Sequence, residues 1–290
     1  MPQTLRIRTQ SSIPIEVDAL LLSGVRNMTA GELSRVPIHF GNQSLPAGEL
    51  FEISGSAVDD NTQVWQGDCS AVKYIGRDLA GGMIIVEGHA GMHLGAEMLS
   101  GRIVCHGNAS DWVGAEMKGG EITVHGNAGD LAGAAYRGAR RGMTGGKILI
   151  HGNAGNEAGH SMRRGMIAIG GSCGVAPGFA MIAGSMLIFG SGGLRPGAGM
   201  KRGSIVFFRR EQLPDLLPTW RFSGRWAPEY LPPIMKSLRR SGFPVGSVDS
   251  PDSESFGMSD LLFNRFAGDF LEQGKGEILL RDGNPLSDAG

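Results

Sequence analysis

Residues 101–119 read GRIVCHGNASDWVGAEMKG, residues 120–136 read GEITVHGNAGDLAGAAY and residues 146–164 read GKILIHGNAGNEAGHSMRR. Laid over one another, these lines agree in their glycines, in a pair of apolar residues near the start and in an Asn-Ala dipeptide. The pattern extends outward in both directions. Gly82, Gly101, Gly120, Gly146, Gly165, Gly184 and Gly203 follow at nineteen-residue steps, with a single step of twenty-six between Gly120 and Gly146. Self-similarity at such a period is the mark of a stacked repeat.

Each unit opens with two apolar residues separated by one position: Ile84/Val86, Ile103/Cys105, Ile122/Val124, Ile148/Ile150, Ile167/Ile169, Met186/Ile188 and Ile205/Phe207. Alternation of period two predicts a short strand. Glycine recurs at 88, 107, 126, 152, 171 and 190, and again at 95, 114, 133, 159, 178 and 197. A small column runs through Ala90, Ala109, Ala128, Ala154, Cys173 and Gly192, and a large one through Met98, Met117, Tyr136, Met162, Met181 and Met200. The expected arrangement stacks equivalent strands in parallel, with like residue on like and glycines at corners that need positive φ or close backbone approach. About seven coils at ~4.8 Å give a rod roughly 30 Å long. Asn108, Asn127 and Asn153 predict an internal asparagine ladder at one corner. The parallel crossover rule makes the winding right-handed. A left-handed hexapeptide helix needs a multiple of six, and a calcium-binding nonapeptide array needs recurrent Asp; neither requirement is met.

Composition agrees. Among 290 residues, 48 are glycine without a collagen triplet, 41% are hydrophobic and the formal net charge is −1. No overall field steers such a chain to nucleic acid or to an anionic membrane. Cys69, Cys105 and Cys173 stand apart with no CxxC pair. That spacing speaks against a thiolate zinc site, an iron–sulfur cluster or a disulfide framework, and for a reducing cytoplasm. The first twenty residues do not read as a signal peptide, and no run of about 18 apolar residues predicts a membrane span.

The expected fold is therefore all-β, a right-handed single-stranded parallel β-helix over residues 61–210. An N-terminal segment, 1–60, caps one end, and a C-terminal extension, 211–290, the other, because a solenoid must protect its end strands. Within the extension, prolines punctuate the chain at 214, 218, 228, 232 and 233, and a Ser/Asp/Pro-rich stretch near 247–254 reads as a linker. Leu262, Phe266 and Phe270 are spaced for one face of a helix that Gly274 would stop, and this helix is expected to dock on the rod.

The repeat G-x-I-x-V-x-G-N-A-G-x-x-x-G-x-x-M resembles the C subunits of formylmethanofuran dehydrogenases and of the bacterial formyltransferase/hydrolase complex, and more distantly the C-terminal β-helix domain of glutamate synthase. The resemblance covers the coils from about 64 to 207, the interrupted segment from Ala132 to Met143, Leu217-Pro-Thr219, Gly268-Asp269 and Gly274 to Ile278. It implies a structural, non-catalytic subunit. Its implied partners are an amidohydrolase-like hydrolase subunit, a formyltransferase subunit and a dehydrogenase-B-like subunit. Those partners would bind metal and use formyl-methanofuran-type and tetrahydromethanopterin carriers in one-carbon oxidation from formaldehyde to formate. The same solenoid serves both complexes. The molybdenum or tungsten enzymes carry many iron–sulfur clusters, whose ligand spacing this chain lacks, so the formyltransferase/hydrolase complex is preferred. A free-standing β-helix carbohydrate-active enzyme is the rival of another class. It would gather acidic and basic residues in a groove and act outside the cell.

No catalytic, cofactor or metal residue is assigned from the sequence. His106, His125 and His151 form one outward column, but side chains on adjacent coils project in parallel and do not converge tetrahedrally. The methionines and Cys105 and Cys173 fall on inward columns and read as core. Gly190-Ser-Gly192-Gly193 opens no helix and so does not read as a phosphate loop. The candidate contact surface is basic. Lys118, Arg163, Arg164, Lys201 and Arg202 end their coils, and the insertion bearing Arg137, Arg140 and Arg141 leaves from the same corner. Such a rim is either a solvated edge or a contact for an acidic partner, or for the glutamate-bearing tail of the carrier that the resemblance implies, with Arg137, Arg140, Arg141, Arg163 and Arg164 as its residues.

Overall fold

The computed structural model describes residues 2–8, 10–209, 214–245 and 262–282. The nineteen-residue step becomes hydrogen-bonded register. Strands Ala80–Val86, Ser100–Cys105, Glu121–Val124, Lys147–Ile150, Met166–Ile169, Ser185–Ile188 and Arg202–Phe207 each pair in parallel with the next. Ile84, Ile103, Ile122, Ile148, Ile167, Met186 and Ile205 lie side by side and are fully buried. The twenty-six-residue step shifts nothing, since Ile122 still faces Ile148. A second line of isolated parallel bridges joins Cys69, Ala90, Ala109, Ala128, Ala154 and Cys173. Ala90 through Cys173 are the small column of the sequence; Cys69 extends it by one position, and Gly192 is not among these bridges.

The two later glycine columns differ physically. At Gly114 the backbone is left-handed (φ +61°), and a Cβ would meet Cδ1 of Ile148 at 2.5 Å. Gly126 has no positive φ; its constraint is close approach, because a Cβ would run into Oδ1 of Asn108 and lie 2.7 Å from the Gly107 carbonyl oxygen. Glycine is not the sole left-handed residue at the corners. Tyr74, His93, Trp112 and Leu131 hold φ of 64–68°, and Glu157, Ala176 and Arg195 hold φ of 52–59°.

Tyr136 does not occupy the large interior column. Met143 does: its amide donates to Gly133 O at 2.8 Å, as Met162 donates to Gly159 O at 3.0 Å, and it is fully buried with Met98, Met117, Met162, Met181 and Met200. The insertion therefore lies between Ala135 and Met143, and Tyr136 is its first residue. The asparagine ladder also differs from expectation. It runs on the exposed side and joins side chain to backbone: Asn108 Oδ1 accepts from Asn127 N at 2.8 Å, and Asn127 Oδ1 accepts from Asn153 N at 2.7 Å. Corner amides of the following coil need acceptors, and an amide oxygen one step back is at the right height.

At the start of the chain, Gln3–Ile7 pairs in parallel with Thr62–Gln66, and Phe51–Ser54 pairs antiparallel outside it. Gln63 falls in the isoleucine column, opposite Ile84. Its burial is satisfied by donation to Gln3 Oε1 and acceptance from Trp65 Nε1, each at 2.9 Å. At the other end, Lys275–Arg281 pairs in parallel with Arg202–Phe207, and Phe263–Gly268 and Arg221–Trp226 follow antiparallel. Among the described residues the result is a thirteen-stranded sheet of mixed direction with few helices.

The helix expected over Leu262, Phe266 and Phe270 is absent: Phe263–Gly268 is a strand, Phe270–Glu272 a single 3₁₀ turn, and Gln273 and Gly274, both at positive φ, turn a hairpin. The four-residue spacing of those apolar residues was coincidental with a hairpin whose strand completes the sheet. Among the described residues of the extension an α-helix lies earlier, at Leu231–Arg240, with prolines in its first turn, where a missing N–H costs nothing. Its Leu231, Met235 and Leu238 cover the outer face of the sheet at Leu149, Ala168, Leu187, Val206 and Leu279. The 247–254 linker lies outside the described residues.

Candidate functional site

Each coil passes its interior methionine and then turns toward the next strand, so the residues just after the methionines form one rim. After Met162 come Arg163 and Arg164; after Met200 come Lys201 and Arg202. These four line a groove of about 490 Å³, floored by Gly165, Ile182, Ala183 and Gly184 and closed by Gln273 from the C-terminal hairpin. Arg163 and Lys201 are two coils apart, as are Arg164 and Arg202, so like positions repeat at roughly 10 Å. The coil between them contributes Ile182, Ala183 and Gly184, none of them charged, which leaves the cations unmasked from that side. Lys201 Nζ lies 3.7 Å from Glu272, a half-exposed pair that contributes little.

The insertion carries Arg137, Arg140 and Arg141 on the outside, all exposed. None of the three lines the groove. Lys118 is exposed as well and is likewise not part of it. The two arginine sets are nonetheless tied through backbone: Gly142 N donates to Ser161 O at 2.9 Å, and Arg163 N to Met143 O at 2.8 Å. The structure thus gathers Arg163 and Arg164 with Lys201 and Arg202, and sets the arginine loop beside the same coil.

The foot of the loop is anchored. The Tyr136 hydroxyl lies 3.0 Å from Nδ1 of His93, its ring stacks on Trp112 at 5.1 Å, and its amide donates to Glu116 Oε1 at 3.0 Å. His93 in turn stacks on Tyr74 at 4.7 Å. Burial pushes the His93 imidazole down to about 4, and burial pushes the Tyr136 phenol well above its ordinary value, so both stay neutral near pH 7. The nineteen-residue spacing of Tyr74, His93 and Trp112 was present in the sequence and marks this stack. A second ladder also escaped the sequence reading: Asp111 Oδ1 accepts from Asp130 N at 2.9 Å, and Asp130 Oδ1 from Asn156 N at 2.6 Å. Gln273 could not have been found by repeat spacing, because it comes from outside the repeat.

The other sequence candidates take bland places. His106 and His125 are stacked at 5.2 Å with rings 2° apart, and His151 meets His125 edge-on at 4.5 Å. Burial, and then the neighbouring imidazole, lowers the pKa of His125 and of His151. Cys105 and Cys173 are buried, and burial raises both thiols to about 11, far from thiolate chemistry at neutral pH. Among the described residues no group of three or more His, Cys, Asp or Glu could hold a metal ion. Among them, too, no helix is long and apolar enough to cross a membrane.

No family model matches the chain. The C subunit of the molybdenum-containing formylmethanofuran dehydrogenase 1 of Methanothermobacter marburgensis is 42% identical over 87 residues, 30% of this chain and 22% of that protein. The C subunit of the tungsten-containing formylmethanofuran dehydrogenase 2 of Methanococcus maripaludis is 38% identical over 90 residues, 31% of this chain and 33% of that protein. The chain thus matches less than half the length of these curated relatives. A solved chain matches nearly throughout. The crystal structure of the formyltransferase/hydrolase complex (FhcABCD) from Methylorubrum extorquens with methylofuran contains a chain of 30% identity and TM-score 0.83, covering 96% of this chain and 99% of that one. On that full-length likeness, the chain belongs to the family formed by the C subunits of formyltransferase/hydrolase complexes and formylmethanofuran dehydrogenases.

Proposed function

We propose that this chain is the non-catalytic structural subunit of a formyltransferase/hydrolase complex that oxidises one-carbon units from formaldehyde to formate by a tetrahydromethanopterin-linked route. The observation that carries the reading is the likeness along 99% of a chain of such a complex. In this reading the stacked coils wind as a right-handed single-stranded parallel β-helix, the hand expected of parallel crossovers, with 1–60 and 211–290 closing its ends. Chemistry resides in an amidohydrolase-like hydrolase subunit and a formyltransferase subunit, joined by a dehydrogenase-B-like subunit. Metal and the formyl-methanofuran-type and tetrahydromethanopterin carriers belong to those partners, and this chain holds them in place. The assembly is cytoplasmic, a reading supported by three buried free cysteines.

The basic rim supplies the contact. Arg163 and Arg164 in the groove, and Arg137, Arg140 and Arg141 on the loop, meet an acidic partner surface or the glutamate tail of the carrier, since the guanidinium fork suits carboxylates. A second reading, the C subunit of a molybdenum or tungsten formylmethanofuran dehydrogenase, is favoured by the higher local identity of 42% over 87 residues. Two measurements test the first. The purified chain, supplied with metal, is expected to catalyse neither formyl transfer nor formyl hydrolysis, and turnover would overturn the scaffold role. Native mass spectrometry of the co-expressed complex is expected to show this chain with formyltransferase and hydrolase subunits; bound molybdopterin or iron–sulfur proteins instead would favour the second reading.

A further inference from the structure

The hairpin that closes the basic groove presents two large apolar side chains to solvent. Leu271 is 81% exposed and Phe270 50% exposed. A flexible tip could carry such residues without consequence, but this tip is fixed. Buried Asp269 accepts from Leu271 N through Oδ1 at 3.0 Å and from Gly199 N through Oδ2 at 3.1 Å, and its carbonyl accepts from Glu272 N and Gly274 N at 2.9 Å each. Phe270 N donates to Thr219 O at 3.2 Å. The Phe270 ring lies so close to Gly274 that a Cβ there would stand 2.8 Å from it, and the Arg221 guanidinium sits over the ring, 5.1 Å from its centroid. Ordering is therefore complete before any contact is made, which is the condition under which an exposed apolar residue contributes most to binding.

The tip is continuous with the groove, because Gln273, two residues past Leu271, forms its wall and Glu272 faces Lys201. Arg221 sits on the Phe270 ring, Lys201 faces Glu272 and Arg202 is paired with Lys275 in the sheet; of the two carboxylates in the hairpin, Asp269 is buried and engaged by backbone amides, which leaves Glu272 at the surface. We infer that the Phe270–Leu271 tip and the Arg163/Arg164/Lys201/Arg202 groove are one protein-docking surface. Its occupant is a partner-subunit surface with an apolar pocket rimmed by carboxylates. A free polycarboxylate tail would use the cations and leave Leu271 idle; a protein surface uses both. This inference rests on the chain being one component of a complex, and it selects the partner surface as the occupant of the groove.

The test uses the full chain, tagged and co-expressed with the formyltransferase and hydrolase subunits. Leu271→Asp is compared with Val58→Asp, which alters another solvent-facing apolar residue, 52% exposed, in the N-terminal segment. Leu271→Asp is expected to weaken assembly by about tenfold or more while melting with the wild type. Val58→Asp is expected to assemble normally. Arg202→Gln should weaken assembly at low salt and flatten its salt dependence, and a synthetic poly-glutamate peptide should not compete with the partner. Wild-type assembly matched by Leu271→Asp, or displacement of the partner by poly-glutamate, overturns the docking surface alone. If the wild-type chain captures neither partner, the reading of it as part of such a complex falls as well.

Discussion

The Tyr136 hydroxyl and Nδ1 of His93 lie 3.0 Å apart across forty-three residues of sequence, so the foot of the arginine loop is tied to a coil laid down well before it. Tyr136→Phe keeps the stack on Trp112 and deletes only this bond, at an expected cost of about 1 kcal/mol. Thermal unfolding checks the cost. Hydrogen exchange over 137–142 should rise more than exchange in the strands, because the loop loses its tie and the sheet does not.

The same pair sets a pH dependence. His93 titrates near 4 when folded and near 6.5 when unfolded, so the unfolded state binds more protons in that window. The contribution of His93 to stability is present in full above pH 6.5 and is lost as pH falls toward 4. Replacing His93 with Gln should flatten the stability profile between those values, as read by denaturant midpoints in a pH series.

Gly126→Val should destabilise by several kcal/mol, through overlap with Asn108 Oδ1 and the Gly107 carbonyl rather than through backbone strain. Gly114→Ala tests the other column, where a left-handed backbone meets the end of an isoleucine that can move. The expected cost there is smaller, about 1–2 kcal/mol. A Gly126→Val midpoint equal to wild type would mean that the corner does not pack as described.

Asn127→Ala removes the acceptor for Asn153 N and should cost about 1 kcal/mol. Asn127→Asp keeps an oxygen in place and should stay close to wild type, since Asp111 and Asp130 already serve the parallel ladder. Equal losses in the two variants, measured by chemical denaturation, would assign the cost to the side-chain amide nitrogen instead.

Arg140 and Arg141 replaced together by Gln should leave stability within about 0.5 kcal/mol, as for other exposed substitutions. Complex pull-down at low and moderate salt, and steady-state assays of the complex with carriers of different tail length, are expected to shift. Unchanged assembly, salt dependence and carrier affinity would reduce the loop to a solvated edge.

The parallel stack was legible because a repeat reports itself: Ile84, Ile103 and Ile122 share a spacing in the sequence and a rung in the sheet. The insertion was visible as seven extra residues, but its edge was not. Tyr136 and Met143 are both large, and only the hydrogen bond of Met143 to Gly133 decides which one enters the core. The C-terminal hairpin was misread because it has no repeat partner to betray it, and its leucine and phenylalanine spacing suits a helix as well. The groove was half legible for the same reason. Arg163, Arg164, Lys201 and Arg202 follow the period, whereas Gln273 arrives from elsewhere.

Because the twenty-six-residue step keeps Ile122 opposite Ile148, the stack behaves as a ruler whose graduations are indifferent to what hangs from them. Distances along it are whole multiples of one strand spacing, ~4.8 Å. Excising residues 147–165, one full unit, would bring Ile122 beside Ile167 with every column preserved, and would draw whatever is attached at the two ends closer by one graduation. A complex built on this chain would then register reach between its active components in integers, so that spacing becomes a heritable quantity changed by duplicating or deleting nineteen codons.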